Sequence, residues 1–190
     1  TSKFFAKSIM AAAKVGPTTA NVALKTVVFL GSSRNITPPW GGDKRTGDRV
    51  LKYVVSALTG RESTCGPNSL THNVTVYDPL VVFGPGGCLA DSGAEIQAPT
   101  FFSSELSPEV QQMKETIAGA DAYIIVTPEY NHSIPPALSG LMGHFGGSCY
   151  KYKPCGIVTY SVGPWGGMRA AMALRPFLAE LGALSASSLV

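Results

Sequence analysis

The sequence predicts a doubly wound α/β fold, a parallel sheet of five strands with helices between them. Three observations carry this expectation. Short β-branched apolar runs alternate with segments of helical period along most of the chain. Hydrophobic residues make up 45% and charged residues only 14%, well below the charged share of about 25% in an average globular protein. Such a chain buries much of itself, as a sheet covered on both faces does, or hides surface against a partner. Finally, 190 residues suffice for one domain with a single filled core and are short for two.

Residues 1–24 stand apart as an extension before a domain spanning 25–190. Lys3, Lys7 and Lys14, an alanine run, and no acidic residue before Asp43 suit an organelle targeting segment. Phe4, Phe5, Ile9 and Met10 lie near helical period, so an extra N-terminal helix over Ser2–Lys14 is the reading preferred here.

From Lys25 the alternation begins. The first strand is expected over Lys25–Leu30, a β-branched run ending at Gly31, followed by a Pro/Gly-rich loop to Gly47. A helix over Asp48–Leu58 sets Val50, Leu51, Val54, Val55 and Leu58 on one side. The second strand, Asn73–Tyr77, is closed by Asp78-Pro79, and Leu80–Phe102 reads as a long irregular excursion. Ser107-Pro108-Glu109 has the look of a helix start, with Ser as cap and Pro in the first position, and the helix runs to Ala118. Ala122–Thr127 is the clearest strand. Pro135 and Pro136 open a helix to Phe145, and Cys155–Tyr160 is the fourth strand. Met168–Leu181 is a helix carrying Met172, Leu174, Leu178 and Leu181, and Ala183–Val190 is the fifth strand.

Composition excludes several function classes. The net charge of +3 is too small and too evenly spread for nucleic-acid binding. No apolar run approaches the roughly 20 residues of a membrane span. Cys65, Cys88, Cys149 and Cys155 form no CxxC pair or zinc-like cluster, and read as free thiols in a reducing, cytoplasmic setting. An organelle remains the alternative if the N-terminal segment is a targeting remnant. The sequons at Asn35, Asn73 and Asn131 read as chance matches.

Ligands of open α/β sheets sit beyond the carboxyl ends of the strands. Three such ends carry polar, glycine-rich loops. Gly31-Ser32-Ser33-Arg34 combines close backbone approach, hydroxyls and an arginine, which suits a phosphate; it is neither a Walker loop nor a GxGxxG fingerprint. Taken alone, it is equally an ordinary β–α turn. Thr127-Pro128-Glu129-Tyr130-Asn131-His132-Ser133 follows the third strand, and Ser161-Val162-Gly163-Pro164-Trp165-Gly166-Gly167 the fourth.

With the apolar run from Ala120-Asp121, these motifs resemble the NADPH-dependent FMN reductases. That flavodoxin-like group includes quinone, chromate and azo-dye reductases. The resemblance covers Thr26–Val190 and implies a flavodoxin-like three-layer sandwich with bound FMN, reduced by NADPH or NADH, passing a hydride to a small acceptor such as a quinone. It places Ser32 and Arg34 on the FMN phosphate, with Gly47 or Arg49 helping. It sets Pro128, Glu129, Tyr130 and Asn131 along the ribityl chain and isoalloxazine, largely through backbone groups. Ser161, Gly163, Gly166 and Gly167 would meet the ring's polar edge. No catalytic side chain or metal is required; Tyr130 or His132 is the candidate for tuning the chemistry.

Two departures stand out. His144-Phe145 occupies positions where family members often carry Asp-Trp, and His144 reads as a plain surface histidine. The sequence ends at Val190 without the helix that normally follows the fifth strand of a flavodoxin-like domain. The expectation is that the N-terminal helix packs on that face, the alternatives being missing residues or cover by another subunit. The low charge also suggests a homo-oligomer or membership of a larger assembly. The competing function is a structural or regulatory subunit of the same fold; an electron-carrier flavodoxin is disfavoured by the basic balance.

Overall fold

The computed structural model describes residues 22–34, 45–59, 70–90, 99–103 and 105–187. The expected N-terminal helix, Asn35, Cys65 and residues 188–190 of the expected fifth strand lie outside the described residues.

Five strands form one sheet: Val22–Leu30 (β1), Leu70–Tyr77 (β2), Ala122–Pro128 (β3), Pro154–Tyr160 (β4) and Leu184–Ser185 (β5). All pairings are parallel, in the order β2-β1-β3-β4-β5. This is the flavodoxin-type order, in which the strand order reverses between β1 and β3 and opens a ligand crevice there. Each strand lies where the apolar runs place it; β1 and β2 begin three residues earlier than expected because edge pairing from Val22↔Leu70 onward tolerates polar side chains. β5 corrects the expected Ala183–Val190: among the described residues only Leu184 and Ser185 are strand, pairing with Pro154 and Cys155. Ala183 still belongs to the turn after α5, and the ladder ends with Ser185.

The helices are Thr46–Thr59 (α1), Pro79–Val82 (α2), Pro108–Ala118 (α3), Pro136–Gly143 (α4) and Met168–Glu180 (α5), with a 3-10 turn at Gly147–Cys149. α2 corrects the reading of Leu80–Phe102 as wholly irregular. Asp78 caps it, its Oδ1 accepting from the Leu80 N–H at 2.9 Å, and Pro79 fills the first position. Ser107 caps α3 in the same way, accepting from the Val110 N–H. α4 stops at Gly143 rather than Phe145, and the chain then tightens into the 3-10 turn.

Parallel crossovers are right-handed, so the step from β1 back to β2 and the forward steps to β3, β4 and β5 put their helices on opposite faces. The core divides accordingly. On one side Val27, Phe29, Tyr123 and Ile125 pack with side chains of α3, α4 and α5. On the other, Val28, Leu30 and Val126 pack with Val54 of α1, flanked by half-buried Val50, Leu51, Ile124, Val158 and Tyr160. The larger core centres on three rings: Tyr123 and Tyr150 meet edge-on at 5.4 Å, and Phe29 lies 6.0 and 6.1 Å from them. Burying two tyrosines demands partners for their hydroxyls. Tyr150 donates to the Met142 carbonyl at 3.0 Å, and Tyr123 reaches the carbonyls of Cys149 and Ile117.

Two side-chain expectations are overturned. His144 is buried, only 8% exposed, with its ring edge-on to Phe145 at 5.3 Å. Being the residue just after α4, it is drawn under the segment at Thr100, whose N–H donates to the His144 carbonyl. Met172 of α5 faces outward, because the buried stripe of that helix is Ala170, Ala171, Leu174 and Leu178.

Candidate functional site

The loops after β1, β3 and β4 leave adjacent strands on the same edge, and each is tied to the next. The Gly31 N–H donates to the Val126 carbonyl at 2.8 Å, and the Glu129 N–H to the Tyr160 carbonyl at 3.1 Å. Side chains strengthen these ties. The Arg34 guanidinium lies over the Tyr130 ring, 4.2 Å from its centroid, joining the first loop to the second. Glu129 is almost fully buried and joins the second loop to the third. Its carboxylate accepts the Arg169 N–H at 3.0 Å and faces the Arg169 guanidinium at 3.6 Å. An anion there caps the first turn of α5, which has no side-chain cap of its own.

The first loop is held tightly. A Cβ on Gly31 would lie 2.2 Å from the Thr127 hydroxyl, so only glycine lets β1 and β3 run this close at their ends. Arg45, 6% exposed, sits immediately before α1. Its Nε donates to Asp48 at 2.8 Å, one terminal nitrogen to the Ser32 carbonyl at 2.5 Å, and the other to the Asp78 carboxylate. Burial works against its charge, but the hydrogen bonds to Asp78 and Asp48 outweigh burial and hold its pKa above the ordinary value. Gly47 opens α1 against Ser32 and Tyr160: a Cβ there would meet the Tyr160 hydroxyl at 2.6 Å and the Ser32 Cβ at 2.9 Å. Arg49 is exposed on α1.

The second loop is a two-residue hairpin. Tyr130 and Ser133 exchange backbone hydrogen bonds of 3.0 and 2.9 Å, while Asn131 and His132 take φ values of 50° and 61°. Positive φ at both central positions is the type I′ turn, for which asparagine is well suited. Both side chains at the tip are exposed. Pro128 is buried beneath, its carbonyl accepting from the Thr127 hydroxyl at 3.1 Å.

In the third loop Ser161 is turned inward on its own segment, its hydroxyl accepting the Gly163 N–H at 3.1 Å. Gly167, at φ 90°, has no room for a side chain beside Thr159. Gly166, at φ 58°, faces open space. Val162 and Trp165 project from this loop, and Arg169 lies over the Trp165 ring at 5.7 Å.

The expected site residues of the three loops therefore lie on one edge, in segments bound to one another, while Gly47 and Arg49 belong to the first turn of α1. Arg45, Asp78 and Tyr160 were not singled out from the sequence. Only the fold brings Asp78 to Arg45, and in the sequence Tyr160 is simply the last residue of a strand. Asp78-Pro79 was nevertheless a legible cap signal, and a buried arginine needs such a carboxylate partner.

A family model described as NADPH-dependent FMN reductase matches residues 24–190. The chain belongs to this family. Among curated relatives it is 35% identical over 83 residues to a quinone reductase of Pseudomonas putida, covering 41% of this chain and 45% of that protein. It is 36% identical over 85 residues to NADH-dependent flavin reductase subunit 2 of Lactobacillus johnsonii, 40% of this chain and 46% of the relative. The matched stretch thus spans under half the length of these relatives. Among solved structures, FerB, a flavoenzyme NAD(P)H:(acceptor) oxidoreductase of Paracoccus denitrificans, aligns over 88% of this chain and 77% of its own. Its TM-score is 0.59 at 19% identity. An oxidoreductase of Corynebacterium diphtheriae gives 0.59 at 13%, over 86% and 79%. These likenesses establish the flavodoxin-like fold.

The residues present fit the FMN that the family name specifies. A flavin phosphate calls for hydroxyl, N–H and guanidinium donors at a helix N-terminus. Ser32 stands against the start of α1, a helix of 14 residues, and Arg34 follows on the same loop over the Tyr130 ring. The Tyr160 hydroxyl is buried at the same place without a hydrogen bond of normal geometry. Burial pushes its pKa up to about 12, with Ser32 and Arg45 tempering the rise, so it stays a neutral donor.

Proposed function

We propose that this chain is an FMN-dependent NAD(P)H oxidoreductase that reduces a small acceptor such as a quinone. The observation that carries the reading is the convergence of three mutually tied loops beyond the ends of β1, β3 and β4, at the crevice where the strand order reverses. When bound, FMN supplies the redox chemistry, taking a hydride from the nicotinamide and yielding it to the acceptor.

The chain's own residues bind and orient. Ser32, Arg34 and the backbone of the first loop hold the phosphate, aided by the positive end of α1 beginning beside Gly47. Pro128, Glu129, Tyr130 and Asn131 form the shelf along the ribityl chain and ring. In this shelf the Glu129 carboxylate acts from behind, fixing α5 and hence Gly166 and Gly167 near the ring's polar edge. Ser161 and Gly163 shape that edge through their own short turn. No side chain has to ionise for binding, and Tyr160 is held as a donor.

Exposed Val162, Trp165, Met168 and Met172 form an apolar ledge beside the third loop, which supports assembly as a homo-oligomer. No helix among the described residues is long and apolar enough to cross a membrane.

The test is direct. Protein loaded with FMN is expected to show a flavin absorption spectrum and to oxidise NADPH or NADH only when a quinone or ferricyanide is added. Failure to retain added FMN, or a flavin that neither nicotinamide bleaches, would overturn the reading. Light scattering on the same sample checks the assembly.

A further inference from the structure

The two arginines on either side of the phosphate loop, Arg34 and Arg45, stand in different environments. Arg34 is exposed and stacked on Tyr130. Arg45 is buried, with Nε and both terminal nitrogens already engaged by Asp48, Ser32 and Asp78. Two carboxylates flank its single charge, leaving little net field for a further anion.

We propose that Arg45 is a positioning residue that sets the phosphate loop for FMN from behind, through the Ser32 carbonyl, and makes the site select the phosphorylated flavin. The inference rests on the FMN site proposed above. Its basis is peptide geometry. In a planar trans peptide the N–H points opposite to the C=O. With the Ser32 carbonyl drawn onto Arg45, the Ser33 N–H faces away from Arg45. Among the described residues it has no hydrogen-bond acceptor. The same guanidinium fixes the loop relative to both flanking elements: Asp48 belongs to the first turn of α1, and Asp78 caps α2 just after β2. Arg45 therefore sets where the loop's donors stand against the helix end. Lysine cannot replace it, since an ammonium has no planar fork to span three separate acceptors.

The arrangement acts on the phosphate and leaves the ring alone. The Tyr130–Ser133 hairpin, Glu129 and the third loop are held by hydrogen bonds of their own, and the exposed Arg34 side chain over Tyr130 is their side-chain link to the loop that Arg45 sets. FMN and riboflavin share the ring and ribityl chain and differ only in the phosphate, so their affinity ratio isolates the effect.

Flavin fluorescence titrations of wild-type protein, R45K and D78N with both flavins test this. D78N keeps the Oδ1 acceptor for the Leu80 N–H but loses the charge facing Arg45. The expected result is a fall in FMN affinity of roughly tenfold to a hundredfold in R45K, with a smaller fall in D78N. Riboflavin affinity should stay within about twofold of wild type, which also shows that the variants fold. Inorganic phosphate should compete with FMN on wild type and lose that ability in R45K. Equal losses for both flavins would make Arg45 merely structural and overturn the inference. So would an unchanged ratio in a wild type that prefers FMN. A wild type with no preference for FMN over riboflavin would instead overturn the phosphate-loop reading on which the inference rests.

Discussion

Gly47 and Tyr160 show how closely the site is fitted at the scale of one side chain. Gly47→Ala would drive a methyl group to within 2.6 Å of the Tyr160 hydroxyl, and neither the strand end nor the helix start can easily give way. Overpacking of this kind costs about 1–3 kcal/mol. Tyr160→Phe removes both the obstacle and a buried hydroxyl without a well-formed hydrogen bond. It is expected to raise the stability of flavin-free protein by about 1 kcal/mol and to relieve the alanine variant, so the two changes are non-additive. Urea unfolding of the two single variants and the double variant measures this; strict additivity would contradict the packing described. His144 carries a pH dependence. Burial lowers its pKa from the ordinary 6.5, so below that value the unfolded chain binds a proton that the folded chain refuses. Stability therefore rises with pH across the window between the lowered value and 6.5, and is lost as pH falls through it. His144→Phe keeps an aromatic side chain and should show a shallower loss than wild type between about pH 7.5 and about pH 5 in unfolding titrations.

Elements divide into those whose identity is written locally and those whose use depends on distant partners. β3 and β4 were legible because their apolar runs are β-branched and bounded by polar loops, and α3 because Ser107-Pro108-Glu109 is a complete start signal. α2 was missed although Asp78-Pro79 is the same kind of signal, because four residues are too few to show a helical period. The three site loops were legible by composition and order, whereas Arg45 with Asp78 and Glu129 with Arg169 pair across 33 and 40 residues and required the topology. The hairpin after β3 separates a backbone role from a chemical one. His132 occupies a left-handed position at an exposed tip, a conformation costing a side-chain-bearing residue about 1 kcal/mol. His132→Gly is therefore expected to preserve or slightly raise stability and to leave FMN affinity unchanged, read by thermal unfolding and fluorescence titration. His132→Val should destabilise the turn, since β-branched residues resist positive φ. A large loss of nicotinamide oxidation in the glycine variant with FMN still bound would give the imidazole a part in the chemistry.

Across the whole molecule the two faces of the sheet are unequally secured. α3, α4 and α5 share a core that includes Met113, Ile117, Leu138, Leu141, Leu174 and Leu178. Among the described residues, α1 contributes only Val54 as a fully buried apolar side chain on the opposite face, and Ile124 and Val158 there are half-buried. Regions with few buried apolar contacts open at lower free energy than the global transition. α1 should therefore exchange its amide hydrogens through local opening, ahead of α3 and α5, in native-state hydrogen exchange. The consequence reaches the site, because α1 begins at the phosphate loop and is bracketed to it by Arg45. A ligand that binds only the closed arrangement stabilises it in proportion to the logarithm of its concentration over Kd. Added FMN should thus slow exchange in α1 and around Gly31–Arg34 far more than in α3, whose opening is already limited by the larger core. Equal protection of α1 and α3 without flavin would show that the α1 face is secured as firmly as the other. Uniform slowing on FMN binding would mean that flavin stabilises the molecule globally and leaves no separate opening of α1.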